Sequence, residues 1–241
     1  MYFSTDKLYK LSKETLRGKK QEIVFDKLVN WTNERFEINV IYIEFEIDKK
    51  DNKHRLHLIL ESQKDYQKIL SKSGYDKEIQ SKISKKYQEL LSVENQNNIA
   101  QNKNTFVDKF LLNLGIKSNI NKKSFKNIWV CYSVFLTVYA NEISGELSKQ
   151  KIAELIKKYK KDNVWEIHMN SFYITIFVEK ENQIEKNRIN PIFEKIKEEY
   201  FEIVKEKDEF GLFKKEYINL AFDSKENLEK NYEGNWYYYY K

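Results

Sequence analysis

The sequence predicts an α+β protein with two modules. A helix-hairpin-helix module is predicted over residues 1–95, and a ferredoxin-like module (β-α-β-β-α-β) over residues 127–241. Two observations predict this class: short segments alternate apolar and polar side chains, as strands do, and longer segments repeat apolar residues at helical spacing. A third observation sets the division, because residues 96–126 form a polar and basic linker around a short apolar helix.

The first module is predicted to begin with helices and a hairpin. Residues 6–36 place apolar side chains at helical spacing, and Gly18 divides them into two helices. Residues 39–47 and 54–61 alternate apolar and polar side chains, which is typical of strands with one buried face. The charged turn 48–53 joins these strands into a hairpin.

Signals for the start of a helix follow this hairpin. Ser62 or Asp65 is predicted to cap a short helix that ends at Gly74, since Ser and Asp side chains accept hydrogen bonds from the first backbone amides of a helix. Asp76 is predicted to begin a longer helix. This helix is expected to stop before residues 93–104, which are polar, lack periodicity and therefore read as a linker.

The second module is predicted from six elements. Its first strand is long, because residues 128–140 are rich in β-branched and aromatic side chains. The order of its elements, β-α-β-β-α-β, is that of a ferredoxin-like fold. After the first strand they are helix 146–161, strands 164–169 and 171–179, a helix from Asn190-Pro191, strand 217–223 and helix 224–232.

Two segments of the chain resemble each other. Residues 56–68 and 218–230 both contain an alternating strand, then an acidic residue and a Ser, then a polar helix start. The resemblance has two interpretations at this point. It marks a partial duplication of the chain, or it reflects the same capping chemistry used twice after a strand.

The charge pattern bears on nucleic-acid binding. The net charge is +6, and residues 101–126 contribute most of it with six Lys and one Asp. Only four of the 43 basic residues are Arg, which is few for a dedicated nucleic-acid binder because Arg supplies the planar fork that phosphate and guanine accept. Sequence-independent binding through Lys stays an alternative. Its residues are Lys117, Lys122, Lys123, Lys126, Lys149, Lys157, Lys160 and Lys161.

Several protein classes are disfavoured by what the sequence lacks. Cys131 is the only cysteine, which fits a reducing compartment, and Met1–Lys7 shows no secretory signal pattern. The apolar run 128–140 is too short to span a bilayer. No phosphate loop, paired Cys, zinc-protease or nucleophile-elbow motif is found. We therefore expect a cytoplasmic, non-enzymatic protein with no cofactor and no membrane partner.

One polar constellation is a candidate for chemistry. On the predicted hairpin, Glu44, Glu46 and His57 all point away from the core face, together with Arg55. Two carboxylates and an imidazole are groups that hold a divalent metal or act as acid and base, so a metal-dependent hydrolase or nuclease is a further alternative. A solvated sheet face with alternating charges explains the same pattern, and we favour this interpretation and predict no metal.

The segment Trp236-Tyr237-Tyr238-Tyr239-Tyr240 places five aromatic residues in a row. Leaving them in water is costly, so they are expected either to dock on the protein's own sheet or to face a partner. As a strand, Trp236, Tyr238 and Tyr240 would share one side. Trp and Tyr dominate the anchors of protein interfaces, and stacking on nucleic-acid bases is the remaining option.

The function predicted from these observations is non-enzymatic binding of another protein. The chain would act as an inhibitor or immunity-type module that covers the surface of its partner. Its many charges of both signs, its lack of catalytic motifs and its aromatic segment indicate this class. The predicted partner-binding residues are Trp236, Tyr237, Tyr238, Tyr239, Tyr240, Tyr42, Glu44, Glu46 and His57.

Overall fold

The computed structural model describes residues 6–47, 53–100, 128–188 and 191–241. These residues form two compact units, Met1–Phe135 and Leu136–Lys241, and each unit mixes helices with a small sheet. The α+β class is therefore confirmed. The units meet in the sequence after Phe135, whereas the sequence pattern placed the division at residues 96–126.

The first unit combines helices with a three-stranded sheet and a short ribbon of two strands. Its elements are α1 (Lys7–Leu16), α2 (Ile23–Phe36), β1 (Val40–Ile47), β2 (His54–Leu60), α3 (Gln63–Lys68), β3 (Leu70–Ser71), β4 (Gly74–Tyr75), α4 (Lys77–Ala100) and β5 (Ile128–Val134).

The second unit has a three-stranded sheet of its own. A helix that starts at the end of the first unit leads into it. The elements are α5 (Phe135–Glu146), α6 (Lys149–Tyr159), β6 (Val164–Asn170), β7 (Tyr173–Val178), α7 (Asn182–Arg188), α8 (Pro191–Lys205), β8 (Asn219–Ser224), α9 (Lys225–Tyr232) and α10 (Trp236–Tyr239).

The two sheets follow the same path. In each, the first two strands form an antiparallel hairpin, and the third strand lies parallel to the second after a helical crossover, giving the orders β1-β2-β5 and β6-β7-β8. The hairpins also share an irregularity in register, between Val40 and Tyr42 in β1 and between Val164 and Glu166 in β6. The units therefore repeat one β-β-α-β architecture, and β1, β2 and β5 correspond to β6, β7 and β8.

This repeat settles what the resemblance between residues 56–68 and 218–230 means. Those segments fall on β2–α3 and on β8–α9, which are not corresponding elements of the two units. Both strands end in a Ser that caps the next helix: Ser62 Oγ accepts from the Asp65 amide, and Ser224 Oγ accepts from the Asn227 amide. The resemblance is therefore shared capping chemistry.

The strand predicted over residues 128–140 is wrong in its second half. β5 ends at Val134, and α5 begins at the next residue. The partner strand explains the end point, because Val134 pairs with Leu60, the last residue of β2. Beyond this pair the chain has no strand to bond to, and its apolar residues fit a buried helical stripe equally well: Phe135, Leu136, Tyr139, Ala140 and Ile143 are buried.

The placement of β5 also changes the second module. β5 pairs with β2 of the first unit, so the sheet of the second unit has three strands among the described residues. The ferredoxin-like arrangement predicted for residues 127–241 is not confirmed. What the structure shows there is the β-β-α-β path of β6, β7, α8 and β8.

The linker predicted at residues 93–104 is partly helix. α4 runs on to Ala100, because no Gly or Pro interrupts residues 77–100 and their Gln, Glu and Ala are good helix formers. The short helix and basic loop predicted after residue 104 lie outside the described residues, as does most of the turn 48–53.

The predicted starts of the helices are confirmed. Ser62 and Asp65 act together, since each side chain bonds the backbone amide of the other. Asp76 Oδ1 accepts from the amides of Glu78 and Ile79 at 2.8 and 3.1 Å. The short helix ends at Lys68, however, and Gly74 lies in the ribbon with φ of +121°, a conformation that favours glycine. Within the described ranges, no helix has the length and apolar character needed to cross a membrane.

Candidate functional site

A groove of about 560 Å³ lies along β6 in the second unit. Five consecutive residues of β6, 166–170, line it, and Ile152, Ala153 and Ile156 of α6 form the opposite wall. Side chains alternate between the two faces of a strand, so five lining residues in succession place the edge of β6 along the groove. Among the described residues, β7 is the only strand paired with β6, which leaves this edge open.

The backbone of β6 presents hydrogen-bonding groups to the groove. The Ile167 amide donates to Oε1 of the adjacent Glu166 at 3.1 Å, so this amide points away from β7. Because outward and inward amides alternate along an antiparallel strand, the Met169 amide also points to the groove. A further strand would pair with these positions.

The two ends of the groove differ in charge. α6 packs against β6, and the short connection 160–163 makes the two elements run in opposite directions. Lys149, in the first turn of α6, therefore lies toward the end of β6 at Asn170. Glu166 lies toward the other end. The groove thus has a cation at one end and a carboxylate at the other.

The aromatic segment 236–240 borders the groove and covers one face of the sheet. The Trp236 ring stacks on Trp165 with centroids 5.8 Å apart, and it lies 4.1 Å from the ring of His168. Phe177 of β7 meets Trp236 edge-on at 5.0 Å and is fully buried. The segment therefore docks on its own sheet through these rings.

The segment is a turn of helix, so the strand alternation predicted for it is wrong. In a helix, residues three and four apart share a side, which groups Trp236 with Tyr239 and Tyr240. Tyr239 donates to Asp223 Oδ2 at 2.6 Å. Tyr237 and Tyr238 face away and are 68% and 50% exposed. Only these two present most of their surface to solvent.

His168 and Tyr240 form a polar contact at the rim of the groove. His168 Nδ1 and the Tyr240 hydroxyl are 3.0 Å apart. Burial lowers the pKa of His168, although nearby Glu166 opposes the shift. Burial, with Asp223 and Glu166, raises the pKa of Tyr240 to about 12. Both groups are neutral near pH 7 and act there through hydrogen bonds.

In the first unit, the predicted hairpin constellation is only partly assembled. Glu44 is paired with His57 across the strands, but Glu46 is paired with Arg55. Glu44 bonds Lys7 of α1 at 2.5 Å and the Tyr42 hydroxyl at 3.1 Å. Burial and the Glu44 carboxylate raise the pKa of Tyr42. Among the described residues, no three His, Cys, Asp or Glu side chains group to hold a metal.

Ser133 is a neighbour of this constellation that the sequence did not reveal. His57 Nε2 lies 2.8 Å from Ser133 Oγ, and burial lowers the pKa of His57 against the opposing charges of Asp6 and Glu44. The sequence pattern placed residue 133 in the other module. The signal that could have found it is the parallel pairing of β2 with β5, which a single sequence does not show.

The predicted Lys residues of the second unit share one property. Lys149, Lys157, Lys160 and Lys161 are exposed, and in the described parts of the chain no acidic group pairs with them. By contrast, Lys151 and Lys158 on the same helix pair with Glu206 and Glu199 of α8. The other predicted residues, Lys117, Lys122, Lys123 and Lys126, lie outside the described residues.

The edge of β1, which corresponds to β6, is closed. Gln21, in the segment between α1 and α2, accepts from the Ile43 amide at 2.8 Å and donates to the Ile41 carbonyl at 3.4 Å. Its side-chain amide thus bonds the strand as one residue of a parallel neighbour would. Counted from the shared irregularity, Ile43 corresponds to Ile167, whose amide bonds only its neighbour Glu166.

No protein-family model, curated protein or solved structure matches this chain. The site is therefore described by its own geometry.

Proposed function

We propose that this chain is a protein-binding module, of the inhibitor or immunity type, that takes an extended segment of its partner along the open edge of β6. The observation behind the proposal is the difference between the two corresponding edges. The edge of β1 is filled by the chain's own Gln21, whereas the edge of β6 faces a groove. The occupant that this comparison suggests is a strand-like stretch of polypeptide.

The groove has the two components of strand-addition sites. Backbone groups of β6 supply hydrogen bonds that any polypeptide can form, and side-chain pockets supply selectivity. The amides of Ile167 and Met169 face the groove, and Ile152 and Ile156 on α6 line its other wall one helical turn apart. The volume of about 560 Å³ lies within the usual range of binding pockets.

The aromatic segment adds a second contact region to the proposal. Tyr237 and Tyr238 are exposed next to the residues that border the groove, and exposed Tyr is a common anchor in interfaces. Trp236, Tyr239 and Tyr240 are engaged with the sheet and support this pair. In the first unit, Glu46 is exposed, while Tyr42, Glu44 and His57 are partly covered.

The test uses a displayed library of random peptides of about ten residues, long enough for one strand. The wild-type protein is panned against the library, and the binding of enriched peptides is measured by fluorescence anisotropy. The variant Ala153→Arg places a large cation in the groove. Its matched control is Gln150→Arg, on an exposed turn of the same helix that does not line the groove.

We expect enriched peptides to bind the wild type and Gln150→Arg equally, and Ala153→Arg at least about tenfold more weakly, or ~1.4 kcal/mol. Hydrogen exchange at the amides of Ile167 and Met169 should slow when peptide is bound. Equal binding to Ala153→Arg, or an unprotected β6, would refute the placement.

Nucleic-acid binding is a second candidate, favoured by the unpaired Lys residues of α6 and the turn after it. Exposed cations without acidic partners are available to phosphates. A labelled single-stranded oligonucleotide should then bind with an affinity that falls steeply with salt, and Lys157→Glu with Lys160→Glu should reduce the slope by about two. An affinity that does not change with salt would eliminate this candidate.

A further inference from the structure

We infer that the segment taken by the groove has an acidic side chain opposite Lys149 and an apolar side chain, two positions away, between Ile152 and Ile156. This inference rests on the proposed function and deepens it, because it names the chemistry of the partner segment. It follows from three features of the groove: its single free cation, the carboxylate at its far end, and the spacing along α6.

Lys149 is the one Lys or Arg among the described residues that line the groove. It is exposed, and no acidic group of the described chain pairs with it. Other lysines of α6 are neutralised, since Lys151 and Lys158 pair with Glu206 and Glu199. An acidic side chain of an incoming segment would supply the partner that the chain itself does not provide.

Glu166 sets the direction of this preference. Its carboxylate lies at the end of the groove opposite Lys149, where it accepts the bond from the Ile167 amide. A second carboxylate placed there would be repelled, and binding sites reject wrong arrangements through such like-charge contacts. His168 does not offset this repulsion, because burial lowers its pKa and keeps the ring neutral.

The spacing follows from the geometry of a helix beside a strand. Ile152 and Ile156 are one turn apart, so an apolar side chain fits between them, centred five residues after Lys149. Five residues of helix advance by about 7.5 Å. Two residues of strand advance by about 6.7 Å and return the side chain to the same face. The acidic and apolar positions of the segment are therefore two residues apart.

The experiment repeats the random-peptide panning on the wild type and on Lys149→Glu, with Lys157→Glu as the matched control. Lys157 is also exposed and unpaired on α6, but it does not line the groove. Peptides enriched on the wild type should contain Asp or Glu two positions from an apolar residue, at about three times its frequency in the input library, as a solvent-exposed ion pair allows.

On Lys149→Glu, the enriched peptides should contain Lys or Arg at that position instead, while on Lys157→Glu they should keep the acid. The neutral variant Lys149→Gln should lose the preference without reversing it. All these residues are at the surface, and the circular dichroism spectrum of each variant verifies that it folds.

The two possible failures are distinguishable. Peptides that enrich on the wild type and bind along β6 but show no charge preference, or the same preference on Lys149→Glu, overturn this inference and leave the proposed function standing. If no peptide enriches on the wild type, the proposed function fails and this inference fails with it.

Discussion

The two units of this protein follow the same path but protect their sheets with different chemistry. In the first unit, α1 lies on the sheet through the Lys7–Glu44 pair, and Gln21 closes the free edge of β1. In the second unit, the aromatic segment around Trp236 covers Phe177, and the edge of β6 stays open. The positions covered correspond, since Ile59 pairs with Tyr42 as Phe177 pairs with Glu166.

The difference shows what this architecture requires and what it leaves free. Both Ile59 and Phe177 are fully buried, so the second face of each sheet must be covered by something apolar. A sheet edge makes a weaker demand, because water can bond its amides at little cost. An open edge is therefore available for binding, and one of the two units retains it.

The largest expected effect comes from removing the cover of the second sheet. Trp236→Ala should expose Phe177 and lower the free energy of unfolding by about 2–3 kcal/mol, somewhat less than for a fully buried Trp. Tyr237→Ala is the control, and since this ring is exposed it should change stability by less than about 0.5 kcal/mol. Urea unfolding measures both. Similar small losses in the two variants would mean that the segment does not hold this face.

A smaller effect is expected at the closed edge of the first unit. Gln21→Ala leaves the partly buried Ile43 amide without its partner and should cost about 1–2 kcal/mol. Hydrogen exchange at Ile43 should accelerate in the same variant. Gln21→Glu keeps the acceptor and loses only the bond to Ile41, so it should retain most of the protection at Ile43. Unchanged exchange in Gln21→Ala would show that Gln21 does not close the edge.

The smallest effect concerns pH. Burial lowers the pKa of His168 below its ordinary value of 6.5, so the unfolded chain binds a proton more readily than the folded one. Stability is then full above pH 6.5 and falls as the pH decreases below it. The loss due to His168 should be under about 1 kcal/mol, because solvent reaches the ring and screens it.

The comparison that isolates this contribution is His168→Gln, which should show a smaller loss of stability between pH 7 and about pH 5.5. The wild type and the variant will both retain some pH dependence, since burial also lowers the pKa values of His54 and His57. Parallel stability curves for the two proteins would contradict the assignment to His168.

Local features of the fold could be predicted because local patterns encode them. The hairpin of β1 and β2, the cap at Ser62 and the helix start at Asp76 depend on residues within a few positions of one another. The aromatic segment was recognised as a candidate contact region, but its alternation was assigned to a strand. Four residues contain too little pattern to separate a strand from one turn of helix.

Composition and short-range pattern were thus enough to establish the α+β class, most helix boundaries and the residues worth testing. Tertiary structure decided the rest: that β5 pairs with β2, that the two units repeat one path, that Ser133 meets His57, and that the edge of β6 is open. The physical reason is common to all four. Each depends on hydrogen bonds or contacts between residues far apart in the chain, and the free energy of such pairings depends on which strands are neighbours, which local propensity does not specify.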